Sequence, residues 1–321
     1  MLYRRKKLGG KPVRPPTILS ELLDEYGNFA RRVRDLAEET ILEQRLYIAR
    51  FLEAQPFSTP AELFASLNTM RVQRFVFKYA ENHGKGSLRW LQASLRSFLR
   101  FCYYQGYVSC DLSAAVPAFR SWRLSSVPKG IDDAKITLLL KSIDSRESRV
   151  RLRDLAIIHL LATYGVRGIQ IRRLRFDDIH WAKDHIHFRA VKGGRAVVQH
   201  LTQQVGSSLL AYIRDERPNS TPHLEVFLTS RPPFHPFRKS GSLSGVIARR
   251  LREINVELPE GVSRGTHSFR HAFARRLTGK IPLKYIADML GHRDLSSTFI
   301  YSKVDFIALR EAALPWPEEA E

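Results

Sequence analysis

Residues 266–301 read THSFRHAFARRLTGKIPLKYIADMLGHRDLSSTFIY. His267 and Arg270 are three positions apart, so a helix places them on one face. Gly291 favours the left-handed conformation that ends a helix, and it predicts a stop after a helix over 282–290. The stretch therefore predicts helices that present two histidines and an arginine, followed by a segment that carries Tyr301.

Two further cations precede this stretch. Arg167 follows a long apolar helical pattern and a glycine that lets the chain turn, and Lys192 stands at the tip of a predicted β-hairpin. The complete set of candidate catalytic residues comprises Arg167, Lys192, His267, Arg270, His292 and Tyr301. Such a set can hold a phosphodiester, neutralise its charge, transfer protons and attack phosphorus with a phenol oxygen.

Each residue type fits one part of that chemistry. A guanidinium is planar and always charged, so Arg167 and Arg270 can grip phosphate oxygens and stabilise a phosphorane. His267 and His292 can hydrogen-bond to the phosphate, and His267 can also shuttle a proton. Lys192 could protonate a leaving 5′ oxygen, although an ordinary turn lysine is a serious alternative for it. Taken singly, each of these residues would more often be structural, and His271 is interpreted as a packing or buttressing residue that points elsewhere.

The charge of the chain indicates a polyanionic partner. The 321 residues include 52 Lys plus Arg against 32 Asp plus Glu, a net charge of +20. Each phosphate neutralised by such a surface releases condensed counterions, so nucleic acid is the favoured partner. A basic protein without DNA-directed chemistry, for example a ribosome-associated one, remains the alternative.

Other classes of site are weakly indicated or excluded. Cys102 and Cys110 are too few for a disulfide framework and fit a reducing cytoplasm. The N-terminus lacks the apolar core of a secretory signal, and no apolar run is long enough for a transmembrane helix. His180, His185 and His187 give only a weak zinc signal, because no cysteine or acid stands at ligand spacing. No metal or other cofactor is expected, and the predicted localisation is cytoplasmic, nucleoid-associated when bound to DNA.

Apolar periodicity predicts a mainly α chain in two domains. Residues 1–16 form a basic arm, residues 17–122 a bundle of four helices, and residues 123–321 a second domain. In the second domain, helices are expected over 131–144, 149–164, 203–215, 240–254 and from 266 onward, with a hairpin near 186–201. Basic residues dominate the polar faces of the bundle and favour a DNA-facing surface over a merely solvated one: Arg71, Arg74, Lys78, Lys85, Arg89, Arg96 and Arg100.

Four stretches carry a resemblance to a known family: YGVRGIQIRRLRFDDI (164–179), VKGGR (191–195), THSFRHAFA (266–274) and LGHRDLSSTFIY (290–301). In their order and separation they resemble the tyrosine recombinases, also called phage integrases, whose active site is similar to that of type IB topoisomerases. The resemblance implies a helical, SAM-like core-binding domain and a mainly helical catalytic domain with a small antiparallel β-sheet, the fold of DNA breaking-rejoining enzymes. Together the two domains would clamp duplex DNA.

The resemblance also implies an activity. It makes Tyr301 the nucleophile that forms a covalent 3′-phosphotyrosyl intermediate, Lys192 the general acid, and the other four residues the phosphate-binding set. The implied enzyme is a site-specific recombinase that needs neither metal nor ATP. It would act as a homotetramer on two synapsed double-stranded sites, with possible accessory recombinases or DNA-bending proteins, and serve a phage or mobile element. A catalytically inactive DNA-binding protein and a topoisomerase-like relaxing enzyme are the alternatives.

Two positions depart from the family pattern. Gln170 stands where many members carry an acid, so an ion pair beside the site would be lost although an amide could still orient its neighbours. Phe269 replaces a common leucine, which is a mild change in packing. After Tyr301, residues 304–314 could form a helix that docks on a neighbouring subunit, as such tails often do in the family.

Overall fold

A computed structural model describes residues 18–57, 59–119, 128–145, 150–191, 194–219, 221–238 and 240–304. The chain divides into two compact units, residues 1–122 and 123–321. The predicted basic arm, Lys192 and almost all of the predicted C-terminal docking segment lie outside the described residues. Within the described ranges, no helix combines the length and apolarity needed to cross a membrane.

The first unit is helical. Its aromatic core includes Tyr26, Phe51, Phe98 and Phe101, all fully buried, and the Tyr26 hydroxyl donates to Gln44 at 2.6 Å. The α-helices are α1 (Ile18–Arg32), α2 (Glu38–Glu53), α3 (Pro60–Ser66), α4 (Thr69–Asn82) and α5 (Lys85–Tyr104), followed by a 3₁₀ turn (Leu112–Ala115).

The count of four helices in this unit was wrong, because α3 is a fifth. Pro60 occupies the first turn of α3, where its missing N–H costs no hydrogen bond. Thr59 caps the same helix by accepting a hydrogen bond from the Glu62 amide at 3.2 Å. A proline at this position begins a helix rather than ending one.

The second unit is built around α7, which is buried on nearly all sides and packs against α6, α9 and α11. A helix that is apolar around its whole circumference belongs in the centre of a core. The helices of this unit are α6 (Asp133–Ser145), α7 (Arg151–Tyr164), α8 (Gly168–Arg172), α9 (Gln203–Asp215), α10 (Ser240–Glu253), α11 (Thr266–Leu277) and α12 (Leu283–Met289).

The predicted small antiparallel sheet is confirmed, with one strand more than the hairpin required. Strands β1 (Ile179–His180), β2 (His185–Phe188) and β3 (Val197–His200) pair in sequence order. Ile186 and Phe188 point into the core, and the alternate residues of β2 face outward. The alternation agrees with the period-two pattern that predicted the hairpin.

One carboxylate lies inside the second unit and pairs with two buried arginines and one partly exposed arginine. Asp154 on α7 is fully buried and accepts hydrogen bonds from Arg153 at 2.9 Å and from Arg250 at 2.7 Å, and Arg249 binds the same carboxylate. Arg250 also donates to Glu253 at 2.9 Å. This network joins α7 to α10 through charges that neutralise each other away from water.

Candidate active site

Arg167 is placed by the turn that ends α7. Gly165 has φ +59°, and a Cβ atom there would lie 2.7 Å from the Phe273 ring, so both the backbone and the packing require glycine. Two residues later, Arg167 caps α8 and lies half-buried. The turn therefore presents Arg167 at the junction between α7 and α8.

Gln170 holds the backbone of Arg167. Its side-chain oxygen accepts a hydrogen bond from the Arg167 amide at 3.0 Å, and its side-chain nitrogen donates to the Arg189 carbonyl at 3.3 Å. Gln170 is 3 % exposed. The neutral amide thus orients the arginine through backbone contacts at the position where many family members have an acid.

Arg270 comes from α11 and is 4 % exposed. Its guanidinium donates to the carbonyls of Gly165 at 2.9 Å and Leu290 at 2.8 Å. The Arg167 guanidinium donates to the next carbonyl along the chain, that of Gly291, at 3.3 Å. The two guanidinium groups are therefore brought together at the turn that follows α12.

Neither guanidinium forms a salt bridge with any acid in the described part of the chain. Burial lowers the pKa of Arg270 to about 9, with the charge of Arg167 adding to the effect, so Arg270 still carries its charge at neutral pH. Burial also lowers the pKa of Arg167. Because a buried charge is costly without a counterion, the chemistry of this arginine pair is suited to binding an anion.

His292 follows the α12 stop directly. Gly291 has φ +62°, as predicted for a left-handed helix end, and the His292 amide donates to the Ala287 carbonyl at 2.9 Å. The His292 ring is fixed by a 2.7 Å hydrogen bond between Nδ1 and the hydroxyl of buried Thr298, which leaves Nε2 on the opposite edge of the ring. Burial, Arg270 and Arg167 lower the pKa of His292 to about 4, so the ring is neutral at pH 7.

His267 lies in the first turn of α11 and is exposed at the surface of the site. Although the ring is accessible, partial desolvation lowers its pKa, and the charges of Arg270 and Arg167 lower it further. A neutral imidazole at a helix N-terminus can donate one hydrogen bond to a phosphate oxygen that approaches from solvent.

Tyr301 lies in a 3₁₀ segment (Phe299–Val304) and is 2 % exposed. It packs with Phe273, Ile286 and Leu290 in a small apolar cluster. Burial raises the pKa of the Tyr301 phenol, while Arg270 and Arg167 lower it. Tyr301 therefore belongs to the same chain as the two arginines and lies close enough for their charges to act on the pKa of its phenol.

The Tyr301 hydroxyl has a partner that sequence reasoning missed. His271 Nδ1 lies 2.9 Å from the Tyr301 oxygen, and the two ring centroids are 5.7 Å apart. The interpretation that His271 points elsewhere was wrong. The spacing of four residues places His267 and His271 on one helix face, but it does not predict the contact with Tyr301, which spans 30 residues of chain.

Lys192 lies outside the described residues, and its role stays a prediction. The residues that follow it are placed. Gly194 forms an isolated antiparallel bridge with His292, and the Arg195 amide donates to the Gly291 carbonyl at 3.1 Å. A Cβ atom on Gly194 would lie 2.8 Å from the Arg167 guanidinium. One end of the predicted lysine loop is therefore anchored at the site.

The three histidines weakly associated with zinc lie on the exposed face of the sheet. The register places His185 opposite both His180 and His200, and a cavity of about 250 Å³ is lined by His180, His185 and His187. Over the ranges that the structure describes, no three His, Cys, Asp or Glu side chains are placed to hold a metal ion.

Residues 130–307, more than half of the chain, match the phage integrase family. The chain belongs to the phage integrase family. This tyrosine recombinase is 34 % identical over 307 residues to the protein named integrase/recombinase y4rA of Sinorhizobium fredii, covering 95 % of this chain and 73 % of the relative. It is 24 % identical to tyrosine recombinase XerA of Pyrococcus furiosus, covering 94 % of this chain and 95 % of XerA.

Solved recombinase structures share the fold. XerH recombinase bound to a palindromic difH substrate superposes with a TM-score of 0.67 at 17 % identity, covering 92 % of this chain and 85 % of XerH. A dimer of residues 75–356 of lambda integrase bound to a COC′ core site gives 0.65 at 16 % identity, covering 94 % of this chain and 99 % of that fragment. The expected recombinase fold, a helical chain with a small sheet, is confirmed.

Proposed function

We propose that this tyrosine recombinase cleaves and rejoins duplex DNA at specific sites, with Tyr301 as the nucleophile. One observation carries the proposal: a buried phenol lies in the field of two guanidinium groups, buried Arg270 and half-buried Arg167, that no described carboxylate neutralises. An anion seated on Arg167 and Arg270 would complete the charge balance, and a scissile phosphate is the anion that a phenol can attack.

Strand cleavage would proceed by in-line attack. The Tyr301 oxygen bonds to phosphorus as the bond to the 5′ oxygen breaks, which leaves a 3′-phosphotyrosyl link. Arg167 and Arg270 stabilise the charge that grows on the non-bridging oxygens, and His267 and His292 donate further hydrogen bonds. Lys192 protonates the leaving 5′ oxygen. Because the covalent link conserves the energy of the phosphodiester, rejoining needs no ATP, and no step calls on a metal ion.

The first unit supplies a surface for DNA. Arg74, Lys78, Lys85, Arg89 and Arg100 are exposed, and no ion pair is formed by them with an acid of the described ranges. Basic side chains without internal counterions are available to phosphates. We propose that residues 17–122 form a core-binding domain and residues 123–321 the catalytic domain.

The names of related proteins extend the proposal to assembly and context. The structures of XerH and lambda integrase contain their DNA sites, and a lambda integrase tetramer is bound to a Holliday junction. We propose that this recombinase likewise acts as a homotetramer on synapsed double-stranded sites in the cytoplasm, associated with the nucleoid. Accessory recombinases or DNA-bending proteins could assist it, and a mobile element fits the integrase names of its relatives.

A nicked suicide substrate tests the proposal. DNA flanking the gene, nicked close to the cleavage position so that the released fragment diffuses away, should trap a covalent protein–DNA complex in EDTA without ATP. Tyr301→Phe should form no covalent complex and retain its affinity for DNA, because only the hydroxyl is removed. Tight binding without any covalent complex from the wild type would favour an inactive DNA-binding protein.

The same preparation separates recombination from relaxation. Efficient relaxation of a supercoiled plasmid that lacks the flanking DNA would favour a topoisomerase-like enzyme. A recombinase should act only on plasmids that carry the cognate sites. Its DNA affinity should also fall steeply with salt, because many phosphate contacts release many counterions.

A further inference from the structure

We propose that His271 accepts the phenol proton of Tyr301 during strand cleavage and returns it during rejoining. This inference rests on the proposed function and adds a catalytic residue to it. The carrying contact is the 2.9 Å hydrogen bond between His271 Nδ1 and the Tyr301 oxygen.

The Tyr301 oxygen is poorly placed to lose its proton to water. Tyr301 is 2 % exposed, and within the described residues His271 is the one hydrogen-bond partner of its hydroxyl. A phenol is a weak nucleophile until its proton is removed. A general base must lie within hydrogen-bond distance of the proton that it removes. His271 meets this requirement, so it can remove the phenol proton.

The chemistry balances with two separate proton carriers. In cleavage, the bond between the tyrosine oxygen and phosphorus forms, the bond from phosphorus to the 5′ oxygen breaks, and the phenol proton passes to Nδ1 of His271. The 5′ oxygen receives its proton from Lys192. In rejoining, the 5′ hydroxyl attacks phosphorus and gives its proton to Lys192, and the departing tyrosine oxygen recovers the proton from His271.

The surroundings of His271 keep it ready to accept a proton. Burial lowers its pKa to about 4, and His267 and Arg270 contribute to the shift, so the ring is neutral at pH 7. A phosphodiester seated on Arg270 and Arg167 adds negative charge beside these cations. That charge stabilises a protonated His271, so substrate binding strengthens the base when it is needed.

His267 is less suited to this step. It is exposed, its ring centroid lies 6.4 Å from that of His271, and the described contacts include no hydrogen bond from His267 to Tyr301. The geometry divides the work between two histidines one helical turn apart. The outer one binds phosphate, and the inner one handles the tyrosine proton.

Two variants of His271 separate proton transfer from positioning. In His271→Asn the side-chain oxygen can take the place of Nδ1 and accept the same hydrogen bond, but it is not basic. His271→Ala removes both functions. In single-turnover cleavage of the suicide substrate, we expect both variants to be slower by about 100-fold. DNA affinity and melting temperature serve as the controls for folding.

A change in the acidity of the phenol distinguishes the two roles, because it should alter the cleavage rate of the His271 variants only if His271 accepts the proton. Fluorotyrosine at position 301 ionises more readily, so it needs less help from a base. It should restore cleavage in His271→Asn by about 10-fold and change the wild-type rate far less. A substrate with sulfur in place of the bridging 5′ oxygen, which leaves without protonation, should rescue Lys192→Ala but not His271→Asn.

The outcomes are distinct. If wild type forms no covalent complex on any flanking site, the proposed function fails. If wild type cleaves and His271→Asn cleaves at the same rate, His271 only orients the phenol and the inference alone is overturned. If both His271 variants are slow but fluorotyrosine restores neither, proton acceptance is likewise refuted.

Discussion

The second unit buries two groups of arginines, and the two are neutralised differently. Arg153 and Arg250 share the carboxylate of Asp154, which is fully buried between α7 and α10. Arg167 and Arg270 contact only backbone carbonyls among the described residues. The first group has its counterion within the protein, whereas the second has no carboxylate partner among the described residues, as the proposed binding of a phosphate requires.

This difference separates structural charge from functional charge. Both groups are desolvated, so burial alone does not reveal which one serves catalysis. The deciding property is the presence or absence of a fixed carboxylate, because a carboxylate inside the protein offsets the charge of a guanidinium and uses N–H donors that a phosphate would otherwise accept from. Substitutions in the two groups should therefore affect different measurements.

The largest effect is expected from Asp154→Ala. This change leaves buried Arg153 without its carboxylate and buried Arg250 with Glu253 alone, and it should lower the free energy of unfolding by about 3–5 kcal/mol, as measured by urea denaturation. Asp144→Ala is the matched control, since Asp144 pairs with Arg151 at the surface and should cost at most about 1 kcal/mol. Equal losses from the two variants would contradict a structural role for the buried network.

Arg270→Met should have the opposite effect, with a large loss of cleavage activity and little loss of stability. Cleavage of the suicide substrate should slow by about 100–1000-fold, because one of the two main stabilisers of the phosphorane charge is lost. The free energy of unfolding should stay within about 1 kcal/mol of wild type, since removing an unpaired buried charge offsets the two lost hydrogen bonds. A loss of stability as large as that of Asp154→Ala would remove the distinction between the two groups.

Gly194→Ala tests how tightly the Arg167 guanidinium is packed. The added methyl would lie 2.8 Å from the Arg167 guanidinium and 3.0 Å from the Gly291 carbonyl, so the guanidinium must move away. We expect cleavage to slow by about 10-fold, as measured in single-turnover assays, because a displaced clamp stabilises the transition state less.

Gly206→Ala is the control for adding a methyl group elsewhere. Gly206 lies inside α9, and the nearest atom to an added Cβ is 3.7 Å away. This variant should cleave normally and gain about 0.5–1 kcal/mol of stability from the helix propensity of alanine. A similar activity in both glycine variants would show that the Arg167 position tolerates displacement.

The smallest effect is expected from an added anion. Sulfate at about five times its dissociation constant should stabilise wild type by about 1 kcal/mol, because it would bind between the Arg167 and Arg270 guanidinium groups. Thermal melting of Arg270→Met should show a smaller gain in the same salt. Identical gains would mean that sulfate acts only through general exclusion from the surface.

Local patterns in the sequence predicted much of this architecture. Period-two alternation gave β2 and β3, and Gly291 marked the end of α12, because both features depend on neighbouring residues. Helix α3 was missed from the predicted bundle, because a proline such as Pro60 begins a helix at one position and breaks it at another. Capping by Thr59 decides between these cases, and that hydrogen bond depends on the backbone around it.

The candidate site was predictable as a set of residue types but not as a set of contacts. The carbonyls that hold Arg270 lie 105 and 20 residues away in the chain, and the Arg167 contact spans 124 residues. No local pattern predicts such partners. The place of His271 beside Tyr301 likewise depends on the 3₁₀ segment folding back against α11, a long-range event that periodicity does not report.

Leu290, Gly291 and His292 follow one another directly after α12, and they supply a carbonyl to each guanidinium and an imidazole to the site. The two carbonyls and the imidazole therefore belong to one turn of the backbone, and they move into or out of alignment together. A recombinase with a half-assembled centre could break a chromosome without resealing it. Because one tripeptide sets all three contacts, we expect a distortion of that turn to abolish cleavage and resealing together.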